Sequence, residues 1–352
     1  MKKELSDLRA EARQMKLIYV TDKTIGYSRL LVKNAVTFFD CDGHEITDED
    51  TLKRLRGLVL PPAWQNVWIC TKPNGHLQAT GFDKLGRKQY RYHTNWSLIR
   101  NEKKHDRMLE FGVAIPQLRK QLEKDLRKKQ LSKEKVIALA LSLLEHTFIR
   151  IGNDAYAKKY NSHGLTTLRN KHIKINGSKF RLSFTGKKGI IQDIEVSHLR
   201  LAKLMKKLRD LPGQELFQYL EADGSRNSID SGMVNDYIRQ YTGNDFTAKD
   251  FRTWAGTVNA LVYLSGKKPF ESATEAKRNI NEALDFVALQ LGNTRTVCKK
   301  YYVHPALLGA YEEGRLFIYL KKLSNLNEGS VKSKMQKTEE RVLLNFLRKE
   351  GR

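Results

Sequence analysis

Three features are scarce in this sequence: cysteines, long apolar runs and, relative to basic residues, acidic residues. Only 3 of the 352 residues are cysteines, and they form no Cys-x-x-Cys pair, which argues against a disulfide framework and a zinc site. The longest apolar stretch, around residues 136–144, is interrupted by Ser142 and is too short to cross a membrane. The first nine residues contain no apolar segment typical of a secretory signal. We therefore expect a cytoplasmic protein without membrane contact.

The charge balance of the chain is strongly positive. The 64 lysines and arginines outnumber the 39 aspartates and glutamates, which gives a formal net charge of +25. Such a charge attracts polyanions, so nucleic acid is the leading partner, although ribosomal proteins and proteins of anionic membranes share this composition. The sequence contains no Gly-x-x-x-x-Gly-Lys-Ser/Thr loop and no acidic cluster with two-metal spacing. We therefore expect no bound nucleotide, no metal and no other cofactor.

The sequence pattern changes near residue 100. Before it, residues 67–71 and 76–82 read as two strands of a hairpin, because they flank an Asn-Gly turn signal. After residue 106, apolar residues recur at three- and four-residue steps with lysines and arginines between them, which is typical of helices. We therefore expect a domain boundary near residue 100.

One segment of the helical part has the pattern of a small sheet. A helix is predicted from Ser132, a suitable N-cap, to Arg150. In residues 172–196, stretches that alternate between apolar and polar residues are separated by two turn signals. This pattern predicts a three-stranded meander with Lys187 at a hairpin tip.

Four segments join cations to polar or nucleophilic side chains. They are residues 148–153 (FIRIGN), 184–188 (FTGKK), 249–254 (KDFRTW) and 293–305, in which Asn293 precedes Tyr302 by nine positions. Attack on a phosphodiester requires neutralisation of charge on the non-bridging oxygens and protonation of the leaving 5′ oxygen. Arginine suits the first task because its planar fork donates two parallel hydrogen bonds. A lysine among other cations suits the second, and a tyrosine can form a reversible covalent link.

In order and spacing, these segments resemble the active site of the small type IB DNA topoisomerases of viruses and bacteria, over roughly residues 50–310. The resemblance implies five catalytic residues: Arg150 and Arg252, which clamp the scissile phosphate, Lys187, which protonates the 5′ oxygen, Asn293, which hydrogen-bonds a non-bridging oxygen, and Tyr302, which forms a 3′-phosphotyrosyl link. It also implies that supercoils of both signs are relaxed by strand rotation and religation, without ATP or metal.

The resemblance implies further DNA contacts. Residues 86–93 interleave cations, an amide and aromatic rings, and by the family pattern four of them reach bases or phosphates: Arg87, Gln89, Tyr90 and Tyr92. The amide of Gln89 suits an adenine edge in the major groove. Tyr156 and Lys249 match further contacts of the family. The ordinary interpretation of residues 86–93 is an exposed strand whose tyrosines pack on the sheet.

The fold class predicted on this basis is α+β, of the kind shared by tyrosine recombinases and type IB topoisomerases. A small β-rich N-terminal domain, residues 1–100, precedes a larger, mostly helical catalytic domain, residues 101–320, that contains the three-stranded meander. Residues 321–352 are expected to form a basic C-terminal tail or helix. The resemblance implies a clamp on double-stranded DNA, which we expect to work as a monomer.

Each residue taken alone also has an ordinary interpretation. An arginine at a helix end often caps carbonyls, and a lysine at a hairpin tip is usually solvated. Composition leaves both Tyr301 and Tyr302 open as the nucleophile, whereas the nine-residue step from Asn293 favours Tyr302 through the resemblance. Viral and eukaryotic members carry His where this chain has Asn293, and bacterial members commonly have Asn. This difference indicates a bacterial origin.

Two other functions stay open at this point. A tyrosine site-specific recombinase shares the catalytic fold, but such enzymes usually carry His at the position of Lys249 and have a helical N-terminal domain. A non-enzymatic DNA-binding protein would explain the charge but not the spacing of Arg150, Arg252 and Tyr302.

Overall fold

The computed structural model describes residues 9–32, 35–83, 86, 88–324 and 332–351. The chain divides into two compact units, Met1–Lys104 and His105–Arg352, and the division falls within the long helix α3, Thr94–Leu126. Within the described ranges, no helix combines the length and the apolar character needed to cross a membrane.

The first unit is built on a five-stranded antiparallel sheet. Its strands are β1 (Tyr27–Val32), β2 (Ala35–Phe39), β3 (Gln65–Ile69), β4 (Leu77–Phe82) and β5 (Lys88–Tyr92), in the order β2-β1-β3-β4-β5. Its helices are α1 (residues 9–14) and α2 (Glu49–Gly57). The hairpin predicted around the Asn-Gly pair is the β3–β4 pair, and the predicted β-rich character is confirmed.

A buried arginine joins this sheet to the loop that precedes β3. Arg29 on β1 is 6% exposed, and its guanidinium donates to the carbonyls of Leu60, Pro61 and Trp64 at 3.0, 2.9 and 2.9 Å. These three carbonyls satisfy a charge that would be costly to bury alone. Arg29 therefore orders a loop that has no regular secondary structure of its own.

The second unit is mostly helical. After α3 its helices are α4 (Lys133–Thr147), α5 (Asp154–Tyr160), α6 (Leu199–Arg209), α7 (Ser231–Thr242), α8 (Ala248–Ser265), α9 (Ala273–Leu291), α10 (Arg295–Tyr301), α11 (Pro305–Glu312), α12 (Phe317–Ser324) and α13 (Lys332–Glu350). Its core is a continuous apolar cluster in which α4 and α8 are almost fully buried. The predicted mixed fold, with a larger helical part, is confirmed.

The three-stranded meander interrupts the helices as predicted. Its strands are β6 (Ile173–Asn176), β7 (Lys179–Thr185) and β8 (Ile191–Ser197), paired antiparallel in the order β6-β7-β8. Residues of β7 alternate between buried and exposed, so one face of the meander joins the core. Lys187 lies in the turn between β7 and β8.

The helical pattern that the sequence shows after residue 106 has a second exception beyond the meander. Gln218–Leu220 and Arg226–Ser228 form a hairpin, β9 and β10. Each strand has three residues, too few for a period of two to become visible in the sequence. Asp223, Gly224 and Ser225, a sequence typical of a loop, lie in the turn of this hairpin.

The last helix belongs to the second unit. Buried apolar side chains of α13 join the core cluster of that unit: Val342, Leu343, Phe346 and Leu347. Residues 321–352, which were predicted to form a basic tail or helix, therefore contain a helix that packs into the helical unit.

We expect Arg29→Met to destabilise the first unit by about 2 to 3 kcal/mol, because it removes three hydrogen bonds from a charged guanidinium to partly buried carbonyls. Thermal and urea unfolding of the purified chain measures the loss. The matched control is Arg91→Met, which removes an exposed arginine of β5 and should change the unfolding free energy by less than about 0.5 kcal/mol. Equal stability of the two variants would contradict the role assigned to Arg29.

Candidate active site

Arg150 lies just beyond the end of α4. Ser132 caps the start of this helix as predicted, by accepting a hydrogen bond from the backbone N–H of Lys135. The helix ends at Thr147 and does not reach Arg150, because Phe148 adopts the left-handed conformation, with φ 54° and ψ 19°. This conformation is unfavourable for a residue with a side chain. It turns the chain out of the helix two residues before Arg150.

The backbone at Arg150 is held by close packing of two glycines. The Arg150 carbonyl accepts from the N–H of Leu165 at 2.8 Å. Gly152 has φ +101°, and a Cβ on Gly164 would lie 2.5 Å from the Cα of Gly152. Only glycine fits this contact, so the segment that carries Arg150 has a restricted position.

Arg252 is a buried cation on α8. It is 4% exposed, and its Nη1 and Nη2 donate to the carbonyls of Phe148 and Leu291, the latter at 2.7 Å. These carbonyls lie at the C-terminal ends of α4 and α9, where helices have no backbone donors left for them. Its Nε–H has no hydrogen-bond partner among the described residues. Burial lowers the pKa of Arg252.

Asn293 follows the end of α9 in the same way that Arg150 follows α4. Gly292 is the left-handed C-cap, with φ 55°, and the side-chain Oδ1 of Asn293 accepts from Nη2 of Arg150 at 2.8 Å. Its Nδ2 donates to the carbonyl of Leu291 at 3.4 Å. The structure therefore brings Arg150, Arg252 and Asn293 into one cluster at two adjoining helix ends.

Tyr302 completes this cluster. It is the C-cap of α10 and is partly buried, and the central carbon of the Arg252 guanidinium lies 5.4 Å from its ring centroid. Burial acts to raise the pKa of the Tyr302 phenol. The charge of Arg252, a hydrogen bond with its guanidinium and the charges of Arg150 and Lys249 outweigh burial, so the pKa lies below its ordinary value. Tyr301 is 39% exposed and lies beside Lys300.

Two residues of α8 that the sequence analysis missed hold the backbone of Tyr302. A Cβ on Gly256 would lie 2.8 Å from the carbonyl oxygen of Tyr302. The hydroxyl of Thr257, which is fully buried, donates to that oxygen at 3.1 Å and accepts from the N–H of His304 at 3.1 Å. The sequence shows only two small residues, Gly256 and Thr257, about one helical turn after Arg252. Their role becomes visible only when the structure places Tyr302 beside them.

Lys187 is the first residue of a single 3-10 turn, Lys187–Gly189, and it is exposed. The side chain of Gln192 relates this turn to the cluster. A Cβ on Gly186 would lie 3.1 Å from Cγ of Gln192, and a Cβ on Gly292 would lie 3.2 Å from its Nε2. Gln192 thus lies between the residue before Lys187 and the residue before Asn293. The sequence analysis gave Gln192 no role.

The tyrosines predicted to contact DNA in the first unit lie on β5 and are exposed. Tyr90 and Tyr92 are 50% and 41% exposed, and their rings stack with centroids 6.0 Å apart. Nε2 of Gln89 donates to a carboxylate oxygen of Asp83 at 2.9 Å. Arg87 lies outside the described residues. The DNA-contact role of these residues stays a prediction.

The other two predicted contacts belong to the second unit. Tyr156 on α5 is 44% exposed and packs beside Tyr160. Lys249 on α8 is exposed, and its charge acts on Tyr302. Lys249 is therefore close enough to the cluster to influence its chemistry.

One group of described residues has the arrangement of metal ligands, namely Asp40, Asp42 and His44 in the first unit. One carboxylate oxygen of Asp40 accepts from the backbone N–H of both Asp42 and His44. These hydrogen bonds are typical of an Asx turn, so we assign the group to turn formation.

Comparisons with known proteins match most of this chain. A family model described as the catalytic core of eukaryotic DNA topoisomerase I matches residues 86–327, and one described as the N-terminal domain of bacterial DNA topoisomerase IB matches residues 35–83. DNA topoisomerase 1B of Acanthamoeba polyphaga mimivirus is 34% identical over 287 residues, which cover 80% of this chain and 85% of that protein. DNA topoisomerase 1B of Vaccinia virus (strain Copenhagen) and DNA topoisomerase I of Monkeypox virus are each 25% identical over 230 residues, which cover 65% of this chain and 70% of each relative.

We expect the pKa of the Tyr302 phenol to lie below its ordinary value of 10.0. In Arg252→Gln this pKa should rise, because fewer positive charges then oppose the effect of burial. A pH titration of ¹³C-labelled tyrosine by NMR measures both values, and Tyr302→Phe identifies the signal. Arg239→Gln is the matched control, since it removes an exposed arginine of α7 that pairs with Asp236. An unchanged pKa in Arg252→Gln would refute the electrostatic assignment.

Proposed function

We propose that the cluster around Tyr302 cuts and reseals one strand of DNA. This chain belongs to the type IB DNA topoisomerases and relaxes supercoiled DNA, and such a reaction requires a site of strand cleavage. The observation that supports this assignment best is the position of Tyr302 against a buried arginine, Arg252, that is itself held at the ends of two helices. Arg150, Lys187 and Asn293 are the other proposed catalytic residues.

In the proposed cleavage step, the phenolic oxygen of Tyr302 attacks the phosphorus of a phosphodiester. The P–O5′ bond breaks as the P–O(Tyr) bond forms, which leaves a 3′-phosphotyrosyl end and a free 5′ hydroxyl. The lowered pKa of Tyr302 favours loss of its proton to solvent before or during attack. The reverse reaction, with the 5′ hydroxyl as nucleophile, reseals the strand.

Two arginines are proposed to neutralise the phosphate. Arg252 holds backbone carbonyls with one N–H of Nη1 and one of Nη2. Among its remaining donors, the Nε–H has no partner among the described residues and is proposed to donate to a non-bridging oxygen. Arg150 is oriented by its hydrogen bond to Asn293 and presents its remaining donors to the same phosphate. Both cations are in place before substrate binds, which is the preorganisation that transition-state stabilisation needs.

Asn293 and Lys187 are proposed to complete the reaction. The amide of Asn293 can donate to a non-bridging oxygen but carries no charge. The ammonium of Lys187 is proposed to transfer its proton to the leaving O5′. The contact of Gln192 with Gly186 and Gly292 supports this role, because it relates the hairpin turn to Asn293.

The covalent link conserves the energy of the broken phosphodiester, so the proposed reaction consumes no ATP. The cations Arg150, Arg252 and Lys187 are proposed to supply the charge neutralisation and the proton, so no metal is proposed. The free 5′ strand rotates about the intact strand, and supercoils of either sign are lost before religation. Double-stranded DNA is the proposed partner of the exposed rings of Tyr90, Tyr92 and Tyr156 and of the basic surface. We propose that the protein acts as a monomer and without a nucleotide.

We further propose that the protein is of the bacterial type and acts on the chromosome in the cytoplasm. Support comes from Asn293 and from the match of residues 35–83 to the bacterial N-terminal domain. The similar proteins named above are viral. A tyrosine recombinase and a non-enzymatic DNA-binding protein, the two other candidates, are disfavoured by the family match of residues 86–327.

We expect the wild-type chain, in excess EDTA and without ATP, to relax plasmids of both supercoil signs, and Tyr302→Phe to lose at least about 10³-fold in relaxation rate because it has no nucleophile. Gel electrophoresis of plasmid topoisomers measures the rate, and denaturation with detergent traps the covalent adduct. Tyr301→Phe is the matched control and should retain activity.

The trapped adduct should block the 3′ end of the cleaved strand and leave the 5′ end open to a kinase. Equal relaxation by Tyr302→Phe and wild type would overturn the nucleophile assignment. Products exchanged between two DNA duplexes, without relaxation, would favour the recombinase.

For Lys187→Ala, we expect cleavage of an ordinary duplex to slow by about 10²- to 10⁴-fold, the usual contribution of general acid catalysis. A duplex with sulfur in place of the 5′-bridging oxygen should restore most of this rate, since a thiolate leaves without a proton. Arg252→Ala is the comparison, because a phosphate clamp is still needed with the sulfur substrate. Slow cleavage of both duplexes by Lys187→Ala would contradict its assignment as the acid.

A further inference from the structure

The C-terminal helix α13 lies beyond residues 86–327, which match the catalytic-core family, yet it is packed into the core of the second unit. One of its charged residues is buried with the apolar ones. Glu340 is 9% exposed, and charged residues are rarely buried to this extent unless they are paired. Its partners therefore indicate what the helix does.

Glu340 joins α13 to α3 and α8. Its two carboxylate oxygens accept from Nη1 and Nη2 of Arg119 on α3, at 2.6 and 2.8 Å, which is the bidentate geometry that arginine favours. One of the same oxygens accepts from Nε1 of Trp254 on α8 at 3.1 Å. Trp254 is 3% exposed, so this indole N–H has left water and needs a partner.

Arg119 extends the network to α4. Its Nε donates to a carboxylate oxygen of Glu145 at 2.9 Å, so one arginine holds two carboxylates. Burial acts to lower the pKa of Arg119, but the two carboxylates outweigh it and raise the pKa. Burial raises the pKa of Glu145. The three side chains, Arg119, Glu145 and Glu340, are called the rear network below.

The rear network is connected to both sides of the contact between Arg252 and Phe148. Trp254 lies two residues after Arg252 on α8, and Glu145 lies three residues before Phe148 at the end of α4. The Trp254 ring is also packed tightly against α3, because a Cβ on Gly112 would lie 2.3 Å from Cη2 of that ring. Movement of Trp254 or Glu145 would therefore be transmitted to the ends of the hydrogen bond that holds Arg252.

We propose that Glu340 is a positioning residue for Arg252, and that α13 is part of the catalytic apparatus through it. Glu340 fixes Trp254 by a hydrogen bond and, through Arg119, fixes Glu145, so that α8 and α4 keep the spacing that Arg252 bridges. Glu340 is not proposed to touch DNA. The inference rests on the proposed role of Arg252 in the phosphate clamp.

The test measures two quantities. The first is the rate of single-turnover cleavage of a duplex whose released strand, the one with the free 5′ hydroxyl, is short enough to dissociate. The second is the affinity of each variant for the same DNA. We expect Glu340→Ala to cleave about tenfold more slowly with DNA affinity within about twofold of wild type, a smaller loss than the roughly hundredfold that misplacement of a reacting group by about 1 Å can cause. Glu340→Gln should recover much of the rate, because its amide oxygen can still accept from Trp254.

Trp254→Phe and the double variant Trp254→Phe/Glu340→Ala show whether Glu340 acts through Trp254. If it does, the double variant should cleave little more slowly than the slower single variant. Phe346→Leu, a buried apolar change on the same helix, is the control for loss of stability. At an equal loss in Tm it should cleave at nearly the wild-type rate.

Two results would overturn the proposal: a wild-type cleavage rate in Glu340→Ala, or an equally slow rate in Phe346→Leu at matched Tm. Arg252→Ala and Tyr302→Phe in the same assay separate this outcome from failure of the proposed site. If both of those variants cleave like wild type, the site assignment fails. If both are inactive while Glu340→Ala cleaves normally, only the positioning role fails.

Discussion

The arrangement of the proposed site depends on the guanidinium of Arg252, which bridges the C-terminal ends of two helices. Its hydrogen bonds to the carbonyls of Phe148 and Leu291 join α4 to α9. Each helix ends in a left-handed residue at this place, and each then presents one polar side chain, Arg150 or Asn293, two residues beyond the bridged carbonyl. A single buried cation therefore sets the distance between two other members of the site.

This bridge also explains the electrostatics of Tyr302, the proposed nucleophile. A buried phenol would ordinarily hold its proton more tightly, but Tyr302 lies against a cation that has been removed from water, where a charge acts more strongly. The backbone carbonyls keep Arg252 in position without neutralising it, since they are dipoles and carry no net charge. Carboxylates at those positions would have cancelled the field that acts on Tyr302.

The carboxylates of this region lie instead behind the site. The rear network places Glu145 and Glu340 around Arg119, on the side of α8 that faces α3 and α13. Separation of the two sets of charges leaves cations beside Tyr302 and a paired, partly buried group of charges beside Trp254. The C-terminal helix thus contacts Arg119 and Trp254, although it carries none of the residues that the sequence motifs indicate.

The sequence by itself determined the β-rich and helical parts and the meander with Lys187 at its turn, because these depend on local periodicity and turn residues. Through the family resemblance it also indicated five chemically suitable residues, whose catalytic roles are proposals. Only the tertiary structure decided that α4 ends at a left-handed Phe148 before Arg150, that Gly256 and Thr257 contact the backbone of Tyr302, that Gln192 lies near Gly186 and Gly292, and that Glu340 accepts a hydrogen bond from Trp254. Such roles arise from contacts between residues distant in sequence. A small residue, an amide or a carboxylate in an amphipathic pattern carries no signal of the partner that folding will bring to it.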